Sequence, residues 1–134
     1  MINLNKYKEL WFSKKDTLKN LSQNGSSYMT ESDIIAVSFD KAKERYVREY
    51  HLKVVPKSND ALFQSKDHIF FVEFKDGNIG YELQKDGAFR LDNIERKIYD
   101  SLFLFCDMTN QHISDTRQYL TYILVYNYAN SEKY

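Results

Sequence analysis

The segment His68–Lys75 limits the fold of this chain more than any other part of the sequence. Successive side chains of a strand point to opposite faces of a sheet. Both faces of this strand are apolar: one has Ile69 and Phe71, and the other has Phe70, Val72 and Phe74. Such strands are covered on both sides. The chain is therefore expected to form a central sheet with helices packed on each face.

Apolar residues at three- and four-residue spacing predict helices over 4–21, 31–48 and 91–106. Thr30 is the predicted cap of the second helix. Runs of apolar and β-branched residues predict strands over 50–56, 60–64 and 118–127. The stretch 78–90 is ambiguous, with the alternation of an edge strand in its first half.

These elements follow one another in the order α-α-β-β-β-α-β. The last strand–helix–strand unit requires at least one parallel pair, because a helical crossover of this kind joins parallel strands. The predicted fold class is α/β, with a mixed central sheet flanked by helices.

A chain of 134 residues suits a single domain. We expect an N-terminal helix and loop over 1–28, a core over 29–128 and a polar tail over 129–134. No apolar run is long enough to span a membrane, and the N-terminus lacks the apolar region of a signal peptide. The lone Cys106 excludes internal disulfides and cysteine-rich zinc sites. A cytoplasmic protein without a membrane partner is expected.

The charge of the chain is balanced, with 19 basic and 19 acidic residues. This balance argues against nucleic-acid binding by bulk charge alone. The basic residues are nevertheless concentrated in 41–57, which has six of them against two acids. The sequence leaves open whether this stretch is a solvated helix face or a binding surface.

Two charged residues, Glu73 and Lys75, end the most apolar strand of the chain. If 60–64 and 68–75 form a hairpin around Ser65–Asp67, Asp60 at the start of the first strand approaches Glu73 at the end of the second. Two converging carboxylates repel each other, but they suit an oxygen-ligand site for Mg²⁺ or Mn²⁺. Lys75, on the same face as Glu73, would then lie beside a metal-bound water. Alternatively, Glu73 and Lys75 form an exposed ion pair and Asp60 caps a turn.

Asp60 is followed, after twelve intervening residues, by Glu73-Phe74-Lys75. This spacing, within the predicted order of elements, resembles the PD-(D/E)XK nuclease superfamily. The resemblance covers about 31–127. The sequences of segments 58–63, 72–77 and 97–101 are also similar to those of a branch of small bacterial proteins with that fold. Asn59 departs from the family pattern, which has a proline before the aspartate.

The resemblance implies a restriction-endonuclease-like core and metal-dependent hydrolysis of nucleic acid, most simply DNA, by an endonuclease. It implies that Asp60 and Glu73 bind Mg²⁺ or Mn²⁺, that the Phe74 carbonyl is a further ligand and that Lys75 is the catalytic lysine.

Further residues lie on the predicted helices. Lys97 and Ser101 are four residues apart on the third helix, so both can face the cleft as substrate contacts; alternatively, Lys97 is a solvated lysine beside Asp100. Glu44 or Glu49 of the second helix could supply an extra acid, and the sequence does not choose between them.

The alternative function is a non-catalytic binding protein on the same fold, such as an immunity, inhibitor or regulatory module. Neutral charge and 11 Tyr and 9 Phe suit a protein partner or a homodimer, since aromatic residues are enriched at interface cores. A third alternative is an incomplete unit, because the proteins it resembles are longer.

Overall fold

A five-stranded mixed sheet forms the centre of the structure, a computed structural model that describes residues 2–75 and 92–126. The strands are β1 (Lys15–Thr17), β2 (Gln23–Asn24), β3 (Ser27–Tyr28), β4 (Ile35–Ser38), β5 (Ala61–Ser65), β6 (His68–Lys75) and β7 (Leu120–Tyr126). The helices are a 3₁₀ helix (Leu4–Tyr7), α1 (Leu18–Leu21), α2 (Phe39–Tyr50), α3 (Asp92–Thr109) and α4 (Ile113–Thr116).

The strand order in the main sheet is β1-β4-β5-β6-β7, while β2 and β3 form a separate hairpin. The first three neighbouring pairs are antiparallel, and β6 and β7 are parallel, joined through α3. The predicted parallel pair is therefore confirmed, and the fold is α/β with a mixed sheet flanked by helices.

Both faces of β6 are covered, as its apolar residues predict. On one face, Ile69 and Phe71 pack in a cluster with α2 and α3, including Phe39 and Phe105. The N-terminal residues join the same cluster through Leu4 and Phe12. On the other face, Val72 packs with residues of α1, β4 and β5: Leu18, Ala36 and Ala61. The central strand is thus held between two apolar layers.

The predicted helix over 4–21 is wrong. This region contains the short 3₁₀ helix, β1 and α1 instead. Leu4 and Phe12 pack in the cluster on one face of the sheet, whereas Leu18 packs in the cluster on the other face, so one continuous helix cannot bury all three. The backbone of Lys15–Thr17 pairs with β4 and extends the sheet.

The second predicted helix begins too early and ends too soon. Residues 35–38 form β4, and α2 starts at Phe39. The N-cap is Ser38 rather than the predicted Thr30: the Ser38 hydroxyl accepts a hydrogen bond from the Lys41 N–H at 3.4 Å. The helix runs to Tyr50 and ends at His51, which has a positive φ of 51°. The strand predicted over 50–56 is therefore absent from the structure, and the order of elements differs from the predicted one in the first half of the chain.

The second half agrees better with the sequence. Strands β5, β6 and β7 lie within two residues of their predicted bounds, and the β5–β6 hairpin turns where expected. Helix α3 covers the third predicted helix and extends three residues further. The ambiguous stretch 78–90 and the predicted tail 129–134 lie outside the described residues.

Candidate functional site

Glu73 is a charged residue in an apolar row. It follows Ile69 and Phe71 on the face of β6 that packs against α3, and only 3% of it is exposed. Burying a carboxylate costs several kcal/mol unless it is paired or hydrogen-bonded. The surroundings of Glu73 therefore show how the fold tolerates this charge.

Asp60 lies beside Glu73 because of the β5–β6 register. Ala61 pairs with Val72, so the residue before Ala61 faces the residue after Val72. The Asp60 N–H donates to the Val72 carbonyl at 3.0 Å, and the Asp60 Oδ2 accepts the Phe74 N–H at 2.7 Å. The structure thus places Asp60 near enough to Glu73 for the charge of Glu73 to raise the pKa of Asp60, in line with the approach that the predicted hairpin implies.

The Glu73 carboxylate has a partner at each oxygen. Lys97 of α3 places its Nζ 2.5 Å from Oε2, and Asn59 donates from Nδ2 to Oε1 at 3.3 Å. Burial lowers the pKa of Lys97, but the hydrogen bond and charge of Glu73, with the charges of Asp60 and Asp40, outweigh it and raise that pKa overall. Lys97 therefore remains charged and balances Glu73.

Asp60 is less well compensated. Burial, and then the charge of Glu73, raise its pKa from 3.8 to about 6, although the Phe74 N–H and the charge of Lys97 act in the opposite direction. Among the described residues, only this backbone N–H donates a hydrogen bond to the Asp60 side chain. Asp60 is thus a carboxylate whose charge the fold does not fully neutralise.

Asn59 connects this acid pair to the rest of the fold, a role that the sequence analysis does not predict. Its N–H donates to the Ser101 hydroxyl at 2.8 Å, and its Oδ1 accepts the Tyr122 hydroxyl at 2.7 Å. Asn59 occupies the position where the PD-(D/E)XK pattern has a proline. The residue that departs from that pattern therefore contacts Glu73. Its only signal in the sequence was its place next to Asp60.

Ser101 does not lie where a substrate could reach it. It is fully buried, and its hydroxyl accepts the Asn59 N–H. The predicted substrate contact of Ser101 is therefore wrong in this conformation. The alternative view of Lys97 as a solvated lysine beside Asp100 is also wrong, because Lys97 pairs with Glu73.

The extra acid near the site is Asp40, not Glu44 or Glu49. Asp40 lies in the first turn of α2, accepts the Ser58 hydroxyl at 2.5 Å and contributes through its charge to the raised pKa of Asp60. Glu44 pairs with Lys41 on the exposed side of the helix instead. Asp40 does not stand out in the sequence because the predicted helix begins at 31, eight residues before α2, which puts Asp40 in its middle rather than in its first turn.

Lys75 lies at the end of β6 and lines a cleft of about 230 Å³ together with Asp60 and Phe74. The opposite wall of the cleft is formed by the segment around the β2–β3 hairpin, including Ser22 and Met29. Within the described ranges Lys75 forms no ion pair with Glu73. The exposed Glu73–Lys75 pair considered for the sequence is therefore not formed.

Two neighbouring carboxylates are the part of this site that a divalent cation could use. Residues 2–75 and 92–126 contain no cluster of three or more His, Cys, Asp or Glu side chains that would hold a metal. Mg²⁺ does not need one, since it is commonly bound through one or two carboxylates and keeps several waters. Asp60 and Glu73 are such a pair, and the raised pKa of Asp60 marks an excess of negative charge that a cation relieves. In the structure Lys97 already occupies the Glu73 Oε2, so a cation held by both acids would have to displace this lysine.

Comparison with known proteins adds no relative to this picture. No protein-family model matches the sequence, and neither curated proteins nor solved structures give a match. In the part of the chain that the structure describes, no helix is both long and apolar enough to cross a membrane.

Proposed function

We propose that this chain hydrolyses phosphodiester bonds in nucleic acid, with DNA as the expected substrate, at the site formed by Asp60 and Glu73. One observation carries the proposal: a buried glutamate at the end of the central strand lies beside a second carboxylate with a pKa raised to about 6. A fold gains no stability from placing a half-buried acid beside a buried one, and such sites often serve a function. The resemblance to the PD-(D/E)XK superfamily supports the same chemistry.

The residues would have separate roles. Asp60, Glu73 and the Phe74 carbonyl would hold Mg²⁺ or Mn²⁺, which supplies Lewis-acid activation of a phosphate and a water. Lys97 balances Glu73 while the carboxylate is free of metal. Lys75, on the wall of the cleft next to Asp60, would orient the attacking water and stabilise the developing negative charge.

The experiment that tests this function is DNA cleavage by the purified chain. Plasmid and single-stranded DNA are incubated with Mg²⁺, Mn²⁺ or EDTA, and the wild type is compared with Glu73→Gln and Asp60→Asn. We expect metal-dependent cleavage that each substitution lowers by about 100-fold or more, the usual scale for losing a group that stabilises the transition state. Glu95→Gln, an exposed acid on α3, is the matched control. Equal cleavage by wild type and Glu73→Gln would refute the site.

A second candidate function is a non-catalytic binding protein, and an exposed apolar surface favours it. Tyr99 and Phe103 on α3 are 58% and 63% exposed, and Val54, on the segment after α2, is 74% exposed. Val54 and Phe103 line the same groove. Exposed apolar patches of this kind often mark protein interaction sites.

This second function can be tested in its homodimer form by sedimentation over a wide range of protein concentration. A dimer that Phe103→Glu dissociates, and that the control Ile113→Glu leaves intact, would support it. A wild-type chain that stays monomeric throughout and cleaves DNA would exclude it.

A further inference from the structure

The exposed side of α2 carries a basic cleft that the proposed function does not use. Four cations line it, with one acid and one aromatic ring: Lys14, Lys41, Arg45, Arg48, Glu44 and Trp11. The cleft has a volume of about 510 Å³, more than twice that of the cleft at Asp60. It accounts for part of the basic concentration in 41–57.

Most of this positive charge is available to a ligand. Lys14 and Arg48 form no ion pair with any residue in 2–75 or 92–126. Lys41 lies 3.4 Å from Glu44, but both side chains are more than half exposed, so this pair is weak and readily exchanged. Arg45 donates to the Glu9 carbonyl at 2.9 Å, a contact that positions its guanidinium without neutralising it.

The cations follow one line along the helix. Lys41, Arg45 and Arg48 are spaced by four and three residues and so share one face of α2. At 1.5 Å per residue they span roughly 10 Å. That distance equals about three nucleotides of one strand at ~3.4 Å each.

The row of cations begins next to the candidate site. The Phe39 N–H, at the start of α2, donates to the Asp60 carbonyl at 3.2 Å. The preceding residue, Ser38, donates to the Lys14 carbonyl at 2.9 Å. Since neighbouring strands lie about 4.8 Å apart, the backbones of Lys14 and Asp60 are separated by roughly two strand spacings. Lys14 and Asp60 therefore lie at the same end of the sheet, so a strand that crosses this end can reach both the acid pair and the basic cleft.

The size of the cleft at Asp60 makes such a second surface necessary. At about 230 Å³ it is smaller than the ~300–1,000 Å³ of ordinary small-molecule sites, so it cannot hold several nucleotides. The nucleotides that flank the reacting phosphate need another surface.

We propose that the basic cleft of α2 binds the sugar–phosphate backbone of the nucleic-acid strand that flanks the reacting bond. This inference rests on the proposed function and names where its substrate lies. Lys14, Lys41, Arg45 and Arg48 contact phosphates. Trp11, stacked on Tyr50 with ring centroids 6.1 Å apart, provides a fixed aromatic wall on which a base can pack.

The test is binding without cleavage. Fluorescence anisotropy of labelled single-stranded and duplex DNA is measured in EDTA over a series of salt concentrations. The wild type is compared with Lys14→Gln/Arg48→Gln and with Lys8→Gln/Lys66→Gln, a control that removes the same charge from exposed lysines outside the cleft. We expect the cleft variant to weaken binding about tenfold and to reduce the salt dependence by about two phosphate contacts, while the control changes little.

The result separates this inference from the proposed function. Equal loss in the two double variants, or no binding by the wild type, overturns the inference. Asp60→Asn should bind at least as tightly as the wild type, because it only removes a negative charge near the cleft. If DNA binding depends on the basic cleft but the chain does not cleave DNA, the proposed nuclease function is refuted and the proposed binding surface is supported. If the chain cleaves DNA with a KM that Lys14→Gln/Arg48→Gln does not change, the nuclease function is supported and the basic cleft is refuted as the binding surface.

Discussion

A buried glutamate and a half-buried aspartate share a single lysine in this protein. Lys97 contacts Glu73 directly, whereas Asp60 receives one backbone hydrogen bond and only the more distant charge of that lysine. The Glu73–Lys97 pair is therefore the better balanced part of the site, and Asp60 is the part with unfavourable charge. This asymmetry leads to two predictions at the level of single residues.

The first concerns Lys97. Lys97→Met leaves the Glu73 carboxylate buried without its counter-charge, and breaking a buried pair in this way typically costs about 3–5 kcal/mol. Arg96→Met, on the neighbouring exposed position, removes a pair with Asp100 and should cost no more than about 1 kcal/mol. Urea unfolding gives both values. Equal losses for the two variants would show that the Glu73–Lys97 pair is not buried as described.

The second concerns the pH dependence of Asp60. Its pKa is about 6 in the folded chain against 3.8 ordinarily, so the folded state binds the proton more tightly. Proton binding by Asp60 therefore stabilises the folded state. This stabilisation is fully present below pH 3.8, and as the pH rises through about 6 the free energy of unfolding falls by at most about 3 kcal/mol.

Asp60→Asn removes this loss while its side-chain oxygen can still accept the Phe74 N–H. In EDTA, the variant should therefore gain stability relative to the wild type as the pH rises from 4 to 7. Thermal unfolding across that range measures the difference, with Asp67→Asn in the exposed β5–β6 turn as the control. A constant difference between Asp60→Asn and wild type would contradict the raised pKa.

The connection from α2 to β5 attaches the site to α3, which packs on the same face of the sheet as α2. Two of its backbone N–H groups donate to side chains of α3: Lys57 to Asp100 at 2.8 Å, and Asn59 to Ser101 at 2.8 Å. The same connection carries Asn59 onto Glu73 and Asp60 onto Phe74. The acid pair is thus positioned by a segment without regular secondary structure that α3 holds in place.

This arrangement predicts that a proline at position 59, where the PD-(D/E)XK pattern has one, lowers the stability of this fold. Asn59→Pro removes the donor to Ser101 as well as the side-chain contacts to Glu73 and Tyr122. Asn59→Ala removes only the side-chain contacts, and leaving buried polar groups unpaired costs about 1–3 kcal/mol each. Chemical denaturation should rank wild type, Asn59→Ala and Asn59→Pro in order of falling stability. A proline variant as stable as the wild type would mean that Asn59 does not anchor the site.

Over the whole molecule, the sequence predicts the second half of the fold better than the first. The strands β5, β6 and β7 and the helix α3 have long apolar patterns that tertiary contacts reinforce. The strands β1 and β4 have only three and four residues, and their pairing depends on partners elsewhere in the chain. The helical spacing of Phe39, Ala42 and Tyr46 also extends back to Ile35, which hides the start of α2.

The same limit applies to the site. The approach of Asp60 to Glu73 could be predicted because a short hairpin fixes it. The contacts of Glu73 with Lys97 and Asn59 could not, since they depend on how α3 packs on the sheet and on the path of an irregular connection. The burial of Ser101 has the same origin.

The central claim is that Asp60 and Glu73 together bind a divalent cation. Anomalous diffraction from crystals soaked in Mn²⁺ tests it most directly, because it locates the metal and the lysine in one experiment. We predict a single anomalous peak within about 2.0–2.6 Å of both carboxylates, with the Lys97 Nζ moved away from Glu73. Crystals saturated with Mn²⁺ in which Lys97 remains on Glu73 and no peak lies between the two carboxylates would contradict the claim.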